Sequence, residues 1–339
     1  MGLSVSQSYP SYCYAGEQIL VTGATGFIGR RLIQGLIDQN AQVRALIRSD
    51  PQTAHFPGNV DYCRGALEDV ASLERACQGI GIVFHAAAYA HAWSDKSPAI
   101  RHLHRQVNAE GTRCLLQMAA NAGVKRFVFF SSVKAMGAGG KNCVDETWLL
   151  PPETPYGLAK RKAEQYVIEF GRKYNMHTVN LRLPLVYGPG GRGNLEKMIK
   201  AIKRSLFPSL PDVGNKRSMV HVDDVVQAAL AAGWRREANR QTYIVTDGHA
   251  YSSREIYEMI CHALGKPIPN WRVPYGILSG LAAFGDVLGW MCGRRMIFDN
   301  EALDKILGWA CYRCDKIRAE LDYRPSVTLA DALPAMVRA

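Results

Sequence analysis

The stretch Thr22-Gly23-Ala24-Thr25-Gly26-Phe27-Ile28-Gly29 follows directly on the first apolar run of the chain, residues 18–21. The residues after it are apolar at helical spacing, so the sequence predicts a strand, a glycine turn and a helix. Glycine lets a backbone approach a pyrophosphate closely, and the first turn of a helix presents unpaired N–H groups to the phosphates. We therefore predict that this end of the chain holds a dinucleotide.

A second segment, Tyr156-Gly157-Leu158-Ala159-Lys160, opens another helical pattern and places its tyrosine and lysine on one helix face. A free phenol titrates near ~10, and a neighbouring ammonium favours the phenolate and lowers that pKa. Upstream, residues 127–130 are a predicted buried strand with Ser131-Ser132 at its carboxyl end, where open α/β sheets bind ligands. The sequence thus predicts an acid/base at Tyr156 and a serine that binds the oxygen being oxidised or formed.

Apolar strand patterns alternate with helical patterns along most of the chain. The predicted strands are residues 18–21, 42–47, 60–63, 81–85, 127–130, 178–183 and 242–245. This alternation predicts an α/β fold with a doubly wound parallel sheet of the Rossmann type and a smaller mixed substrate-binding lobe. The predicted dinucleotide-binding core is 17–187, with 220–246 returning to the sheet. The predicted smaller lobe is discontinuous and consists of 188–219 and 247–339. Residues 1–16 are predicted to be a flexible leader.

The composition is that of a globular protein, with 339 residues, 47% of them hydrophobic and 21% charged. The net charge of +11 comes without a long basic run or a known nucleic-acid module. We therefore expect no nucleic-acid partner and a positive field that assists binding of anionic small molecules.

Nine cysteines are scattered along the chain in no framework pattern. This pattern predicts no disulfide framework and suits a reducing compartment. Cys311 and Cys314 lack a second ligand pair, so we expect two unrelated thiols there and predict no metal site.

Residues 273–292 are a long apolar stretch in which Asp286 is the only charge. A central aspartate is costly in lipid, and four glycines interrupt the run. We expect a buried helix of the smaller lobe and no membrane contact, with interfacial contact as the alternative. The first seventeen residues lack the basic start and apolar core of a signal peptide, which predicts a cytoplasmic protein.

These motifs resemble the extended short-chain dehydrogenase/reductase family, in particular its NAD-dependent epimerase/dehydratase branch, which modifies nucleotide-activated sugars. Within that branch the chain is similar to a UDP-glucose 4-epimerase-like subgroup that includes nucleotide-sugar 4-keto reductases. The resemblance covers nearly the whole chain, and its motifs follow in family order: residues 22–29, 85–88, 107–112, 131–132, the Tyr156/Lys160 pair, 183–189 and 217–224.

The resemblance implies roles for individual residues. Ser132, rather than Ser131, would be the catalytic serine, with Tyr156 as proton donor or acceptor and Lys160 also holding the nicotinamide ribose. The implied dinucleotide contacts are Gly23, Gly26, Phe27, Ile28, Gly29, Leu67, Ala86, Ala87, Asn108, Tyr156, Lys160, Pro184 and Val186. For Asn108, an amide that packs inside a helix is the alternative.

The second predicted strand bears on the choice of dinucleotide. In NAD-binding relatives an acidic residue ends this strand and accepts hydrogen bonds from the adenosine ribose. Here Ile47 and Arg48 occupy that position, and Arg44 and Arg48 share a strand face that could meet a 2′-phosphate. The sequence therefore favours NADP(H) over NAD. NAD remains the alternative if the strand ends later, because Asp50 would then be the acidic residue. Ala66 stands where relatives commonly have an aspartate for the adenine.

Four residues are predicted to bind a nucleotide-sugar substrate. Arg217 can give bidentate bonds to phosphate oxygens, and Asn194 opens a helix whose amino end could face the same diphosphate. Capping of that helix explains Asn194 equally well. Lys134 and Tyr187 lie on predicted loops near the strand ends. The family resemblance also suggests a homodimer.

Two reactions remain open, and both use the same catalytic residues. In a 4-keto reductase NADPH delivers hydride once and Tyr156 supplies the proton, whereas a UDP-hexose 4-epimerase removes and returns hydride through a transient 4-keto sugar. The arginines of the second strand favour the NAD(P)-dependent reductase slightly. A 3β-hydroxysteroid-type dehydrogenase and a non-catalytic dinucleotide-binding sensor are further alternatives. The Arg217 loop argues against the first, and the intact catalytic residues argue against the second.

Overall fold

A computed structural model describes residues 12–49, 56, 58–90, 97–191, 193–292, 296 and 298–338. The strands are β1 (Gln18–Thr22), β2 (Gln42–Ile47), β3 (Val60–Arg64), β4 (Ile82–His85), β5 (Arg126–Ser132), β6 (His177–Leu183), β7 (Leu185–Tyr187), β8 (Arg217–His221), β9 (Gln241–Ile244) and β10 (Ala250–Tyr251). The helices are α1 (Phe27–Asp38), α2 (Val70–Cys77), α3 (Pro98–His104), α4 (Gly111–Asn121), α5 (Pro155–Lys173), α6 (Asn194–Lys203), α7 (Val222–Trp234), α8 (Ser253–Ala263), α9 (Tyr275–Cys292), α10 (Asn300–Leu307), α11 (Asp315–Leu321) and α12 (Leu329–Arg338).

All seven predicted strands occur, and they form one parallel sheet in the order β3-β2-β1-β4-β5-β6-β9. Apolar side chains of α1 and α7 cover one face of the sheet, and those of α2, α4 and α5 cover the other. The prediction of a doubly wound α/β fold is confirmed. Because both faces are buried, each strand is a nearly continuous apolar run, which is why the sequence showed it.

The strand register brings the carboxyl ends of four strands to one edge of the sheet. Thr22 of β1 pairs with His85 of β4, His85 pairs with Phe129 of β5, and Ser132 at the end of β5 pairs with Leu183 of β6. The glycine turn, the loop after β4, the two serines and the β6–β7 junction therefore lie side by side, at the edge where such sheets bind ligands.

The smaller lobe contains a mixed sheet of three strands, β10-β8-β7, and a second apolar core shared by α6, α8, α10 and α12. The predicted domain boundary at 187 differs from the structure because β7 pairs with β8 and not with the large sheet. The assignment of all of 247–339 to this lobe is also wrong. Ile317 and Leu321 of α11 are buried in the core of the large sheet.

The predicted flexible leader is wrong for its described part, residues 12–16. Tyr14 is fully buried, with its ring centroid 6.2 Å from that of Phe84 and 5.4 Å from that of Trp234. Its hydroxyl donates to the Leu230 carbonyl at 2.8 Å. A ring of this size removes a large apolar area from water, so the chain is anchored to the core at this point.

The expected burial of the 273–292 helix is also wrong. α9 buries only Leu278, Ala282 and Gly285, while most of its apolar side chains are exposed. With a mean hydropathy of 1.3 over 18 residues, α9 is, within the described part of the chain, the one helix long and apolar enough to cross a membrane. The sequence pattern of α9 does not reveal which of its apolar side chains are covered by other elements of the fold.

Cys143 and Cys311 form a disulfide, which corrects the prediction that the cysteines form none. The bond joins the loop between β5 and α5 to the segment before α11, where Val144 and Tyr312 form a parallel β-bridge. The fold brings the two Cα atoms to 4.4 Å across 168 residues of sequence, a proximity that cysteine spacing does not reveal. Cys314 is a buried free thiol, as expected.

We predict that seven of the nine cysteines react as thiols in the unfolded, unreduced protein. Alkylation in denaturant followed by peptide mass spectrometry should leave Cys143 and Cys311 unmodified until a reductant is added. Alkylation of both residues before reduction, in protein purified without reductant, would contradict the bond.

Candidate active site

The glycine turn between β1 and α1 forms a backbone cradle. Gly23 has a φ of +69°, and a Cβ there would lie 2.6 Å from the backbone of Ala86. A Cβ on Gly29 would overlap the Gly23 carbonyl. α1 begins at Phe27 with Gly26 as its cap residue, and no acidic side chain lies in its first turn. Its first N–H groups can therefore bind an anion, and the cradle fits the pyrophosphate of a dinucleotide.

Asn108 fixes the turn after β4 through two hydrogen bonds to the Tyr89 backbone. Its amide nitrogen donates to the Tyr89 carbonyl at 2.9 Å, and its oxygen accepts from the Tyr89 N–H at 2.8 Å. It lies in the π-helical turn Arg105–Glu110, an irregularity common at functional sites. Both ends of the amide are used by the protein. The prediction that Asn108 lines the dinucleotide is therefore corrected, and the packing alternative is closer to the structure.

The remaining residues predicted along the dinucleotide differ in their positions. Ala86 and Ala87 are half-buried directly after β4, and Pro184 and Val186 are half-buried after β6, all at the ligand-binding edge. Leu67 is instead buried in the core between α2 and α4, so its side chain packs and is not available to a ligand.

The two serines at the end of β5 have different surroundings. Ser131 donates to Oε1 of Glu164 at 2.6 Å, and Glu164 accepts two further bonds from Arg182, at 2.9 and 2.7 Å. All three side chains are buried. Ser132 is half-buried and forms a hydrogen bond with Tyr156. The structure thus brings Ser132, and not Ser131, to the tyrosine.

Helix α5 sets the spacing of Tyr156 and Lys160. The helix starts where it does because the Thr154 hydroxyl accepts a hydrogen bond from a first-turn N–H at 3.1 Å, with a proline at the next position. The Lys160 side chain is buried, its Nζ donates to the Phe130 carbonyl at 2.8 Å, and it lies 4.4 Å from the centre of the Phe129 ring. The amine is thereby fixed against β5.

Burial dominates the acid–base properties of both groups. It raises the pKa of Tyr156 to about 12, against a smaller lowering from the hydrogen bond with Ser132. It lowers the pKa of Lys160 to about 7, an effect that Glu164 opposes. The predicted lowering of the Tyr156 pKa by Lys160 is therefore wrong for the protein alone, since the amine is directed at a carbonyl and a ring. At neutral pH the phenol keeps its proton and can donate it.

The buried amine predicts a pH-dependent stability. Between about pH 7 and the ordinary lysine pKa of 10.5, the unfolded chain binds a proton at Lys160 that the folded chain does not. The contribution of Lys160 to the free energy of unfolding is therefore smallest below pH 7. Between about pH 7 and 10.5 this contribution rises with pH, by up to ~1.4 kcal/mol per pH unit. Urea unfolding of the wild type and Lys160→Met from pH 6.5 to 10 should show the difference growing in favour of the wild type. A pH-independent difference would contradict burial of the amine.

Arg44 lies away from the ligand-binding edge. Its Nε donates to Asp61 at 2.6 Å, and its Nη1 donates to the Gln78 carbonyl at 2.8 Å. It thereby joins β2 to β3 and to the end of α2. The prediction that Arg44 meets a 2′-phosphate is wrong, because strand periodicity places it on the right face but too far from the carboxyl end.

Arg48 lies at the ligand-binding edge. It lines a cavity of about 460 Å³, whose other lining residues are Arg64, Gly65, Ala66, Asp69 and Arg75. Arg64 ends β3 and Arg75 lies on α2, so three arginines from different elements line one cavity beyond the ends of β2 and β3. Sequence analysis missed Arg64 and Arg75, which belong to other elements than the second strand. Asp50, which kept NAD open, lies outside the described residues.

A second cavity, of about 400 Å³, lies in the smaller lobe between α6, β8, α8 and α10. Its wall includes Asn194 and Arg217, two of the residues predicted to bind substrate, together with Lys197, Lys305 and several apolar side chains. Nη1 of Arg217 donates at 2.9 Å to the carbonyl of Gly308, directly after α10, which holds the guanidinium at the wall. The cap residue of α6 is Gly193, so capping does not account for Asn194. Basic groups and apolar walls together suit a base linked to a diphosphate.

Lys134 and Tyr187, the other two residues predicted to bind substrate, differ in their surroundings. The Lys134 side chain is exposed. Desolvation lowers its pKa, Asp304 opposes this shift, and the charges of Arg217 and Lys305, two residues of the cavity wall, add to it. Tyr187 is fully buried, and its hydroxyl donates to Asp247 at 3.0 Å. The predicted substrate role of Tyr187 is therefore wrong, because β7 directs the ring into the core of the smaller lobe.

A Rossmann sheet with a glycine cradle after its first strand, and a half-buried tyrosine and a buried lysine on one helix beside a serine, define a dinucleotide-binding enzyme. More specifically, the chain belongs to the NAD dependent epimerase/dehydratase family, whose characteristic sequence matches residues 19–245.

Relatives and solved structures agree with this assignment. The chain is 30% identical over 302 residues to a UDP-glucose 4-epimerase of Vibrio cholerae, covering 86% of this chain and 90% of the relative. It is 28% identical over 301 residues to short-chain dehydrogenase/reductase family 42E member 1 of Homo sapiens, covering 82% and 75%. The crystal structure of a Thermotoga maritima UDP-glucose 4-epimerase with UDP-glucose superposes with a TM-score of 0.74 at 25% identity, covering 95% and 97%.

Proposed function

We propose that the protein transfers a hydride between a nicotinamide dinucleotide and C4 of a UDP-sugar, with 4-keto-sugar reduction as its main direction. One observation carries this proposal: a half-buried tyrosine that keeps its proton lies against Ser132 at the edge where the dinucleotide cradle opens. A protonated phenol is ready to donate, as reduction of a ketone requires.

In this reaction the nicotinamide, when bound, supplies or accepts the hydride. Ser132 donates a hydrogen bond to the C4 oxygen and orients it towards Tyr156. Tyr156 gives its proton to that oxygen as the carbonyl is reduced. Lys160, whose amine donates to the Phe130 carbonyl at 2.8 Å, would hold the ribose of the nicotinamide, the role that the family resemblance implies.

The smaller-lobe cavity supports a nucleotide diphosphate as the other part of the substrate. Arg217, Lys197 and Lys305 supply positive charge, and the apolar remainder of the wall can cover a base. The Vibrio cholerae relative is named as a UDP-glucose 4-epimerase, and the Thermotoga maritima structure contains UDP-glucose. We therefore favour a uridine nucleotide.

We further propose NADP(H) as the preferred dinucleotide, because Arg48, Arg64 and Arg75 line one cavity together with Gly65 and Ala66. Replacing Arg48 and Arg64 together by alanine should raise the Kd for NADPH roughly 10- to 100-fold, since each charge-assisted bond contributes about 1.5–3 kcal/mol in principle and the exposed site weakens it. The Kd for NADH should change little. Titration of both dinucleotides by fluorescence measures this difference.

The matched control for that experiment is Arg44→Ala, which removes a guanidinium already bonded to Asp61 and Gln78. This variant should keep the ratio of NADPH to NADH affinity. Equal losses of both dinucleotides in the double variant would contradict the NADP(H) proposal.

The competing candidate is a 4-epimerase, favoured by the name of the Vibrio cholerae relative. The test is to extract the dinucleotide bound to the purified protein, then incubate the protein with UDP-hexoses or UDP-4-keto-hexoses, with and without NADPH. Stoichiometric NADPH consumption with a 4-keto sugar supports the reductase. Retained oxidised dinucleotide and redox-neutral formation of a C4 isomer would replace it by the epimerase.

A further inference from the structure

Helix α9 presents a continuous apolar face to solvent. Four exposed side chains recur at spacings that place them on one side of the helix, with exposed fractions of 55%, 54%, 64% and 71%: Ile277, Leu281, Phe284 and Met291. The exposed apolar surface continues round the helix to Val287 and Trp290, and Trp290 is 85% exposed. A contiguous apolar surface of this kind marks an interaction site more often than scattered exposed residues do.

The opposite side of α9 is attached to the lobe. Leu278 and Ala282 are buried there, and a Cβ on Gly285 would overlap the Phe298 carbonyl, so the backbones are in close contact. Asp286, the only charge in the helix, accepts a hydrogen bond from Asn300 of α10 at 2.6 Å. On a helical projection Asp286 lies opposite Ile277, Leu281 and Phe284, so that side of the helix carries no charge. Trp290, four residues after Asp286, lies at the margin of the apolar surface.

The two ends of α9 carry aromatic and basic residues. Trp271 and Tyr275, at 61% and 52% exposed, flank the start of the helix together with the exposed Arg272. Trp290 lies in the last turn, and in the sequence Arg294 and Arg295 follow two and three residues after its end. Indole and phenol rings favour the boundary between lipid and water, and arginines are attracted to anionic headgroups.

We propose that the exposed face of α9 docks on the surface of an anionic membrane, with the helix axis parallel to the bilayer. The helix does not cross the bilayer, because its other side is packed on α10 within the lobe. α10 also supplies Ala302, Lys305 and Ile306 to the wall of the smaller-lobe cavity. In the docked protein, α10 would therefore lie between the lipid-bound helix α9 and the smaller-lobe cavity. This inference goes beyond the proposed reaction and does not depend on it.

A second copy of the chain fits this face less well than lipid does. In a parallel pair of α9 helices, the exposed Arg272 of one copy would meet Arg272 of the other. An anionic surface instead complements Arg272, and in the sequence two further arginines follow the other end of the helix.

The test is flotation of the full-length protein with vesicles of phosphatidylglycerol mixed with phosphatidylcholine, and with vesicles of phosphatidylcholine alone. The wild type should float with the mixed vesicles, bind the neutral ones more weakly, and lose binding at high salt. Phe284→Glu and Trp290→Glu should each reduce the bound fraction roughly tenfold, because a charge replaces an apolar contact with lipid. Leu206→Glu, at a leucine that is 75% exposed outside α9, should bind like the wild type.

A conservative variant keeps the test independent of folding. Trp290→Phe should still float, but should lose much of the tryptophan quenching that brominated lipids cause in the wild type. Three results would overturn the proposal: a wild type that does not float, glutamate variants that float as well as it does, or a self-associated wild type whose oligomer the glutamate variants abolish while no form binds vesicles. The last result would assign the face to a second copy of the chain.

Discussion

Replacing Tyr156 by phenylalanine is expected to lower kcat by about 10²- to 10⁴-fold, the range that general acid–base catalysis contributes. The substitution removes only the phenolic oxygen, and the ring can keep its edge contact with His104, whose centroid lies 5.6 Å away. The dinucleotide cradle after β1 is untouched, so the Kd for the dinucleotide should stay within a few-fold. Steady-state turnover of the UDP-sugar and dinucleotide titration measure the two effects.

Tyr166→Phe is the matched control, because it removes a phenol from the same helix that donates to Glu110 at 3.3 Å, outside the site. This variant should turn over like the wild type. If Tyr156→Phe keeps wild-type activity, the tyrosine is not the proton donor and the proposed chemistry is wrong.

Glu164→Ala is expected to destabilise the fold by about 3–5 kcal/mol, the loss found when one partner of a buried ion pair is removed. Glu164 is 4% exposed and accepts hydrogen bonds from Ser131 and from two nitrogens of Arg182. Without the carboxylate, a buried guanidinium remains uncompensated between α5 and β6. Urea unfolding monitored by circular dichroism measures the change in the free energy of unfolding.

Asp61→Ala provides the comparison, because it removes a carboxylate that is 61% exposed from its pair with Arg44. The expected cost is no more than ~1 kcal/mol, as for other surface ion pairs. Equal effects of the two substitutions would contradict a structural role for the Glu164 network. Glu164→Ala is also expected to weaken catalysis, since Ser131 lies beside the catalytic serine.

The parts of the protein that sequence predicted best are those with a local pattern. Strands buried on both faces are nearly unbroken apolar runs, so all seven strands of the large sheet were predicted within one or two residues of their ends. The glycine turn and the pairing of Tyr156 with Lys160 depend on spacings of a few residues along one element. Family resemblance added the choice of Ser132, and the engagement of Ser131 by Glu164 gives a physical reason for it.

The parts that sequence did not predict depend on contacts between distant elements. Arg44 and Tyr187 were placed on plausible faces, but the partners that engage them come from β3 and from the segment after β9. Arg64 and Arg75 join Arg48 only through the fold. The exposure of α9 has the same origin, because an apolar helix has one sequence pattern whether or not the fold supplies a partner for it.

The most direct measurement follows the reacting hydrogen itself. The protein is incubated with a UDP-4-keto-hexose and NADPH deuterated on the transferred face of the nicotinamide, and the sugar product is examined by NMR. Our account predicts deuterium at sugar C4 in the wild type and none in Tyr156→Phe over the same time. Deuterium at another carbon, or no transfer from NADPH to any UDP-4-keto-hexose tested, would contradict it.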